Sequence, residues 1–584
     1  MIDSTRYRRF SRRLLPVLLL SALAACGPQE RVNSAPRATA APVTVGIIAL
    51  NDFHGALEPP RIAVTAPDGK GGTVQVPAGG AAWLASAVDS VRGQYAHSLT
   101  VAAGDLTSAS QLASSIYLDE PAVGAMNRIG LDFNAVGNHE FDRGRQELLR
   151  LQRGGCEQLT SRAPCQVEQF KGAKYQYLAA STLTETGQTL FPASAIRSFG
   201  TGKTQVKIGV IGLTLKETPD LVSPDGIKGL TFADEADSIN ALVPGLKAQG
   251  AAAIVVMIHQ GGGQDPAADP SGCEGFDGAI RPILDRMDAR VDVVVSGHTH
   301  RSYVCDYARY NPSKPFLLTS AGSAGTLVTD IALDIDPATQ KVIARRARNV
   351  IVQSQAFTGS RGAVANTDAH PRFAPRADVA AYVQTYVDAA QVFSRRKVGQ
   401  VAGPVSGRAM GYLIADAQLA ATRAAGAQIA FTNPFGVRAS LIPAPDGSLT
   451  FGDLYAVQPF NNTLVTQTMT GAQLKAVLEQ GFDSNGPEQV LAPSAGFSFS
   501  YDRRRPVGDR IVAMTLDGAP IDLAARYRVT TNSFLAGGGD TFTGFAAQRE
   551  AVIGISDLEA TEAWVKAVPA RAVPTADRTF DADR

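Results

Sequence analysis

Gly137-Asn138-His139-Glu140-Phe141-Asp142 closes a short apolar run, Phe133 to Val136, and the same grammar recurs on both sides of it. Val43 to Leu50 runs into Asn51-Asp52-Phe53-His54-Gly55, and Ser98 to Ala103 into Gly104-Asp105. Ala251 to Ile258 runs into His259-Gln260-Gly261-Gly262, and Val291 to Val295 into Ser296-Gly297-His298-Thr299-His300. Short apolar, β-branched runs of this kind read as buried strands. Helical stretches such as Ala81 to Val91 and Ala233 to Gln249 lie between some of them. Strands alternating with helices predict an α/β fold. In such folds ligands gather at the carboxyl ends of strands, and every polar tip here stands at such an end.

The chain has seven histidines. Five of them, His54, His139, His259, His298 and His300, lie in these tips, and only His97 and His370 do not. One histidine after a strand is ordinarily a satisfied surface or core residue. Five of seven, each in a tip that also carries Asp, Asn or Gly, is a constellation. Imidazole, carboxylate and amide oxygen together suit borderline divalent ions such as Zn, Mn, Fe or Co. Two such ions about 4 Å apart form the clamp used for phosphate hydrolysis.

The ordered set D-x-H, G-D, G-N-H-E, H, G-H-x-H resembles the signature of the calcineurin-like metallophosphoesterases. That resemblance implies an N-terminal β-sandwich flanked by helices and two divalent metal ions. Asp52, His54 and His300 would hold one ion, and Asn138, His259 and His298 the other, with Asp105 bridging. His139 falls outside the ligand set. In the family it pairs with the residue equivalent to Asp142, so His139 would stabilise transition-state charge while Asp142 orients it and raises its pKa. A water activated by the two ions would then attack phosphorus in line with the leaving oxygen.

Further along, Asn433-Pro434-Phe435-Gly436-Val437-Arg438 is similar to the N-x-G-G-I-R turn of the 5'-nucleotidases. Gln458-Pro459-Phe460-Asn461-Asn462 looks like their Q-P-F-x-N segment, and Asn532 to Asp540 like their N-F-x-x-x-G-G-D segment. The resemblance implies a C-terminal α/β nucleotide-binding domain. Phe460 and Phe534 would sandwich a base, Asp540 would accept from ribose hydroxyls, and Asn433 and Arg438 would contact base or phosphate. Phe435 stands where the family has Gly, and Tyr412 where it has Asn. A further family arginine has only Arg408 near its place, out of register, as a phosphate contact. The implied activity is hydrolysis of nucleoside 5'-phosphates outside the cytoplasm, for nucleotide salvage. UDP-sugar or dinucleotide pyrophosphatase and 2',3'-cyclic-nucleotide phosphodiesterase share the scaffold. A surface nucleotide-binding lipoprotein without turnover is the reading of another class. Sulfur-oxidising thiosulfohydrolases share the fold, but a pair of base-stacking phenylalanines argues against that chemistry.

Of 584 residues, 45% are hydrophobic and 19% charged, as in ordinary globular enzymes. A formal net charge of +1 offers no basic field for nucleic acid. Arg6, Arg8, Arg9, Arg12 and Arg13 precede an apolar stretch, Leu14 to Leu23, that is too short to span a bilayer. Leu23-Ala24-Ala25-Cys26 looks like a bacterial lipoprotein cleavage box, with lipid on Cys26 as the sole membrane attachment. A plain signal peptide is the alternative. The expected organisation is a leader over 1–25, a flexible tether over 26–42 and a metallophosphoesterase domain over 43–350. A linker with a connecting helix, Arg376 to Arg396, covers 351–397, and a substrate-binding domain covers 398–584. Four further cysteines, Cys156, Cys165, Cys273 and Cys305, allow three pairings into two disulfides. Cys156–Cys165 and Cys273–Cys305 are favoured because the first closes a short loop and the second ties two ligand-bearing loops.

Overall fold

The computed structural model describes residues 41–160, 162–222, 226–359, 362–460, 462–483, 488–546 and 551–582. The leader, Cys26 and most of the tether lie outside the described residues, as does Asn461.

The first half is a sandwich of two six-stranded sheets. In spatial order one runs Lys341–Ile351, Leu327–Asp336, Val43–Leu50, His97–Ala102, Phe133–Ala135, Gln176–Leu178. The other runs Ser302–Asp306, Leu317–Ala321, Val293–Ser296, Ala253–His259, Val206–Thr214, Ser194–Phe199. Inner strands pair in parallel, with Leu50 opposite Ala102 and Ile258 opposite Ser296. Antiparallel strands close one side of the first sheet and both sides of the second. The facing surfaces meet through Ile47, Val101, Val210, Val255, Val293 and Ile331, all fully buried. Each contributes roughly 1.5–3 kcal/mol relative to an exposed side chain.

Helices Ala81–Arg92, Glu120–Ile129 and Ala377–Ser394 cover the outer face of the first sheet, and Glu235–Ala248 and Arg281–Arg286 that of the second. In the first of these helices Leu84, Ala85, Val88 and Val91 recur at helical spacing on the buried side. The helix expected from Ala233 starts at Glu235, because the Asp234 carboxylate accepts the Asp237 N–H at 3.1 Å and caps it. The helix expected over Arg376 to Arg396 spans Ala377–Ser394, and it is more than a connector. Val379, Tyr382, Val383, Tyr386 and Ala390 sink into the core of the first half, and the Arg128 guanidinium lies 3.5 Å over the Tyr382 ring.

The second half carries a five-stranded sheet in the order Ala492–Pro493, Ile429–Thr432, Arg526–Asn532, Thr463–Thr470, Val552–Ser556. Its two central strands, Ile429–Thr432 and Arg526–Asn532, run parallel, so Asn433 and Phe534 leave the sheet at the same edge. Cys156 and Cys165 form one disulfide, with Cα atoms 5.6 Å apart, and Cys273 and Cys305 the other, at 5.2 Å.

Candidate metal centre and cleft

Parallel strands in both sheets end on one rim, and there the polar tips converge. Asp52, His54 and His300 bring ligand atoms within 4.8 Å of one another, and so do Asp105, His259 and His298. Asp105 Oδ2 lies 3.0 Å from His259 Nε2 and 3.7 Å from His54 Nε2, so this carboxylate faces both groups. The Asn138 amide oxygen is 3.1 Å from both His259 Nε2 and His298 Nδ1.

Backbone contacts choose the tautomers. His54 Nδ1–H donates to the Ser108 carbonyl at 2.9 Å, and His259 Nδ1–H to the Ala103 carbonyl at 2.7 Å. In the neutral ring each Nε2 is then a bare lone pair aimed inward. His54 Nε2 meets His300 Nε2 at 3.0 Å, and His259 Nε2 meets two oxygens. Imidazole nitrogens, a carboxylate and an amide oxygen crowded at such distances are the donors of a candidate cation site. Burial drives His54 and His298 down to about 3, the neutral form in which imidazole ligates. Burial also works against a charge on His259, but the Asp105 carboxylate outweighs it and carries that ring up to about 10. By residue type and grouping the donor set fits two divalent ions of the borderline class.

The candidate ligands occupy a costly backbone. Asp52 (φ 49°), His54 (47°), Asp105 (52°), His298 (69°) and His300 (57°) all lie in the left-handed region. Asp and His tolerate it better than most residues, but each such residue costs of order 1 kcal/mol or more. Hydrogen bonds across the rim hold it. Asp52 N–H donates to Gly104 O and His54 N–H to Asp105 O, each at 3.0 Å, and His298 N–H donates to the Asp52 carboxylate at 3.0 Å. Gly137 is required by contact, since a Cβ there would stand 2.1 Å from Asp105 Oδ1. If ion binding balances this crowding, chelation will lower the melting temperature. At free ion 100-fold above Kd, each site contributes about 2.7 kcal/mol, which thermal unfolding with and without Mn and chelator measures.

His139 stands apart from both ligand groups. Its Nδ1 is 2.9 Å from Asp142 Oδ2, and its backbone N–H donates to Asp105 Oδ1 at 3.0 Å. Burial disfavours a charge on the ring, but the Asp142 and Asp105 carboxylates prevail and raise its pKa. The Phe460 ring is stacked on His139 with centroids 5.6 Å apart and planes at 18°.

Phe460 belongs to the second half, and a cleft of about 530 Å³ is lined from both sides. His139, His298 and His300 face it from the first half, and Asn433, Arg438, Phe460, Phe534 and Asp540 from the second. Asn433 Nδ2 donates to Asp540 Oδ2 at 2.7 Å, and Asn532 Nδ2 to Asn433 Oδ1 at 3.2 Å. Burial pushes the Asp540 carboxyl up to about 6. The Phe534 ring packs onto Gly539, where a Cβ would come within 2.5 Å of it.

Residues 46–302 match the calcineurin-like phosphoesterase model, and residues 383–547 match the model of the 5'-nucleotidase C-terminal domain. The chain belongs to the 5'-nucleotidase family. It is 28% identical over 539 residues to endonuclease YhcR of Bacillus subtilis, covering 90% of this chain and 40% of that protein. It is 45% identical over 188 residues to an uncharacterized protein in the pqq-V 5' region of Acinetobacter calcoaceticus, covering 31% of this chain and 92% of that one. Its structure is similar to that of a 5'-nucleotidase precursor from Thermus thermophilus. There the identity is 25%, the coverage 93% of this chain and 100% of that chain, and the TM-score 0.71. The chain thus spans less than half the length of YhcR.

The fold places the three positions where this chain departs from the motifs of the 5'-nucleotidase family. Arg408 is exposed in the first turn of helix Gly407–Thr422 and does not line the cleft, which argues against the expected phosphate contact. That turn faces solvent, and its neighbour Met410 takes the inward position. Tyr412 is buried away from the cleft, with its hydroxyl 3.1 Å from Thr579 Oγ1. Phe435 lines the cleft at 47% exposure.

Two contributors carry no label in the sequence. Glu140, quoted only as part of a motif, accepts backbone N–H bonds from Gly137 (2.6 Å), Leu106 (2.7 Å), Asp105 (2.8 Å) and Thr107 (3.2 Å). It clamps the Asp105 loop to the loop bearing Asn138 and His139. Ser115 joins the two halves: Arg143 donates to its Oγ at 2.9 Å, and that Oγ is hydrogen-bonded to the Tyr455 hydroxyl. Tyr455 in turn donates to the Pro459 carbonyl at 2.9 Å, next to Phe460.

Proposed function

We propose that the protein hydrolyses nucleoside 5'-phosphates. The observation that carries this is the stacking of Phe460 on His139 within one cleft. A flat aromatic surface suited to a base adjoins the group suited to phosphoryl charge. Asp52, His54 and His300 would hold one divalent ion and Asn138, His259 and His298 the other, with Asp105 shared. Bound there, the ions supply charge neutralisation at phosphoryl oxygens and a nucleophile from water at neutral pH. Asp142 holds His139 Nδ1, which turns the other ring nitrogen to the cleft as a charged donor. Arg438 adds a guanidinium from the opposite wall. Phe460 and Phe534 hold the base by its faces, and Asp540, oriented by Asn433, accepts from ribose hydroxyls.

The leader and Cys26 support export and lipid attachment in the cell envelope, and two disulfides suit an oxidising compartment. Scavenging of nucleotides outside the cytoplasm is the role that follows.

The protein, loaded with Mn or Zn, is expected to release phosphate from nucleoside 5'-monophosphates in a panel that includes UDP-glucose and a cyclic nucleotide. No metal-dependent release from any nucleotide would overturn the reading. Base stacking is worth about 1–3 kcal/mol, so Phe460→Ala should raise KM for nucleotides about tenfold while sparing a small aryl phosphate. Equal loss on both substrates would remove Phe460 from base recognition.

A further inference from the structure

Three arginines line the cleft: Arg143, Arg301 and Arg438. Their guanidinium groups are committed very differently. Arg143 is spent within the fold, in an ion pair with the buried Asp119 and in hydrogen bonds to Ser115 Oγ at 2.9 Å and Ser108 Oγ at 3.2 Å. Arg438 lies with its guanidinium carbon 5.7 Å from the centre of the Phe460 ring and makes no side-chain hydrogen bond among the described residues. Arg301 likewise has no side-chain hydrogen bond or ion pair among the described residues.

Its backbone is nonetheless pinned. The Arg301 carbonyl accepts the Ser320 hydroxyl at 2.7 Å and the Gly322 N–H at 3.2 Å. Its stem runs over Gly263, where an added Cβ would touch Arg301 Cγ at 3.4 Å. The adjacent residue is His300, of the Asp52–His54–His300 group. A held backbone and an uncommitted planar fork beside the candidate ligands match the needs of phosphoryl oxygens. Asp142 and Asp540 do not compete for it, since they are engaged with His139 and Asn433.

We propose that Arg301 is a phosphate-binding residue supplied by the metal-bearing half, opposite Arg438 of the second half. This rests on the functional reading above and extends it. Recognition of the phosphoryl group would be split between the halves. Arg301, on the same turn as His298 and His300, would act on any phosphate ester whatever its leaving group. It also accounts for a cleft in which Arg408 takes no part.

The test is binding of inorganic phosphate to the Mn-loaded protein by calorimetry, together with KM for an aryl phosphate and for a nucleoside monophosphate. Arg301→Gln removes charge-assisted hydrogen bonds, so all three constants should weaken by a common factor of about tenfold or more. Metal content is measured in parallel. Should the Gln variant lose its ions, Arg301→Lys keeps the charge without the fork, and it should fall between wild type and total loss. Unchanged phosphate affinity in a fully metal-loaded variant overturns the proposal, and so does a loss confined to nucleotides. The calorimetric arm stands even if no nucleotide proves to be a substrate, so failure of the functional reading and failure of this assignment are separable.

Discussion

Replacing His139 with alanine is expected to lower kcat by about 10²–10³ on every phosphate ester the protein turns over, the range set by losing one preorganised donor to transition-state charge. His139 is not in either ligand group, so metal content should stay at the wild-type level. The loss should be as large for a small aryl phosphate as for a nucleotide, which separates His139 from Phe460 although their rings stack. Steady-state kinetics with metal analysis of the same preparation checks both points. A variant that keeps kcat within about threefold of wild type would remove His139 from the chemistry.

Glu140→Ala should be the most destabilising single change at the rim. The buried Glu140 carboxylate accepts four backbone N–H groups from two loops. Alanine leaves those donors inside the protein without an acceptor, and each such group costs roughly 1–3 kcal/mol. A loss of at least about 3 kcal/mol is expected even after some water enters. Urea unfolding in chelator isolates this from the metal, because ion binding adds its own stabilisation. Glu140→Gln keeps one acceptor oxygen and should recover part of the loss. An unchanged midpoint for metal-free Glu140→Ala would show that the loops hold themselves.

Much of the first half was legible because its signals are local. Val43–Leu50 is a strand with the expected limits, and helices such as Ala81–Arg92 carry their own periodicity. Ends were less legible where a cap decides them, as Asp234 does. The helix after the first half reads as a connector along the chain. Only packing shows that Tyr382 and Tyr386 complete the core beneath it. Arg408 is the clearest case of a residue that proximity along the chain suggested and the fold did not deliver.

The sequence by itself determined the strand-and-tip order and the identity of the donors, because buried strands and ligand chemistry are written in residue types at short range. It could not say that the donors take left-handed backbone, since φ follows from where a turn must aim its side chain. Nor could it separate Arg143, locked to Asp119, from Arg301 and Arg438, whose side chains form no hydrogen bond among the described residues. The three look alike on the chain. Their difference lies in partners that residues distant in sequence bring to them, and only the tertiary structure decides which charge is spent on the fold and which remains for a ligand.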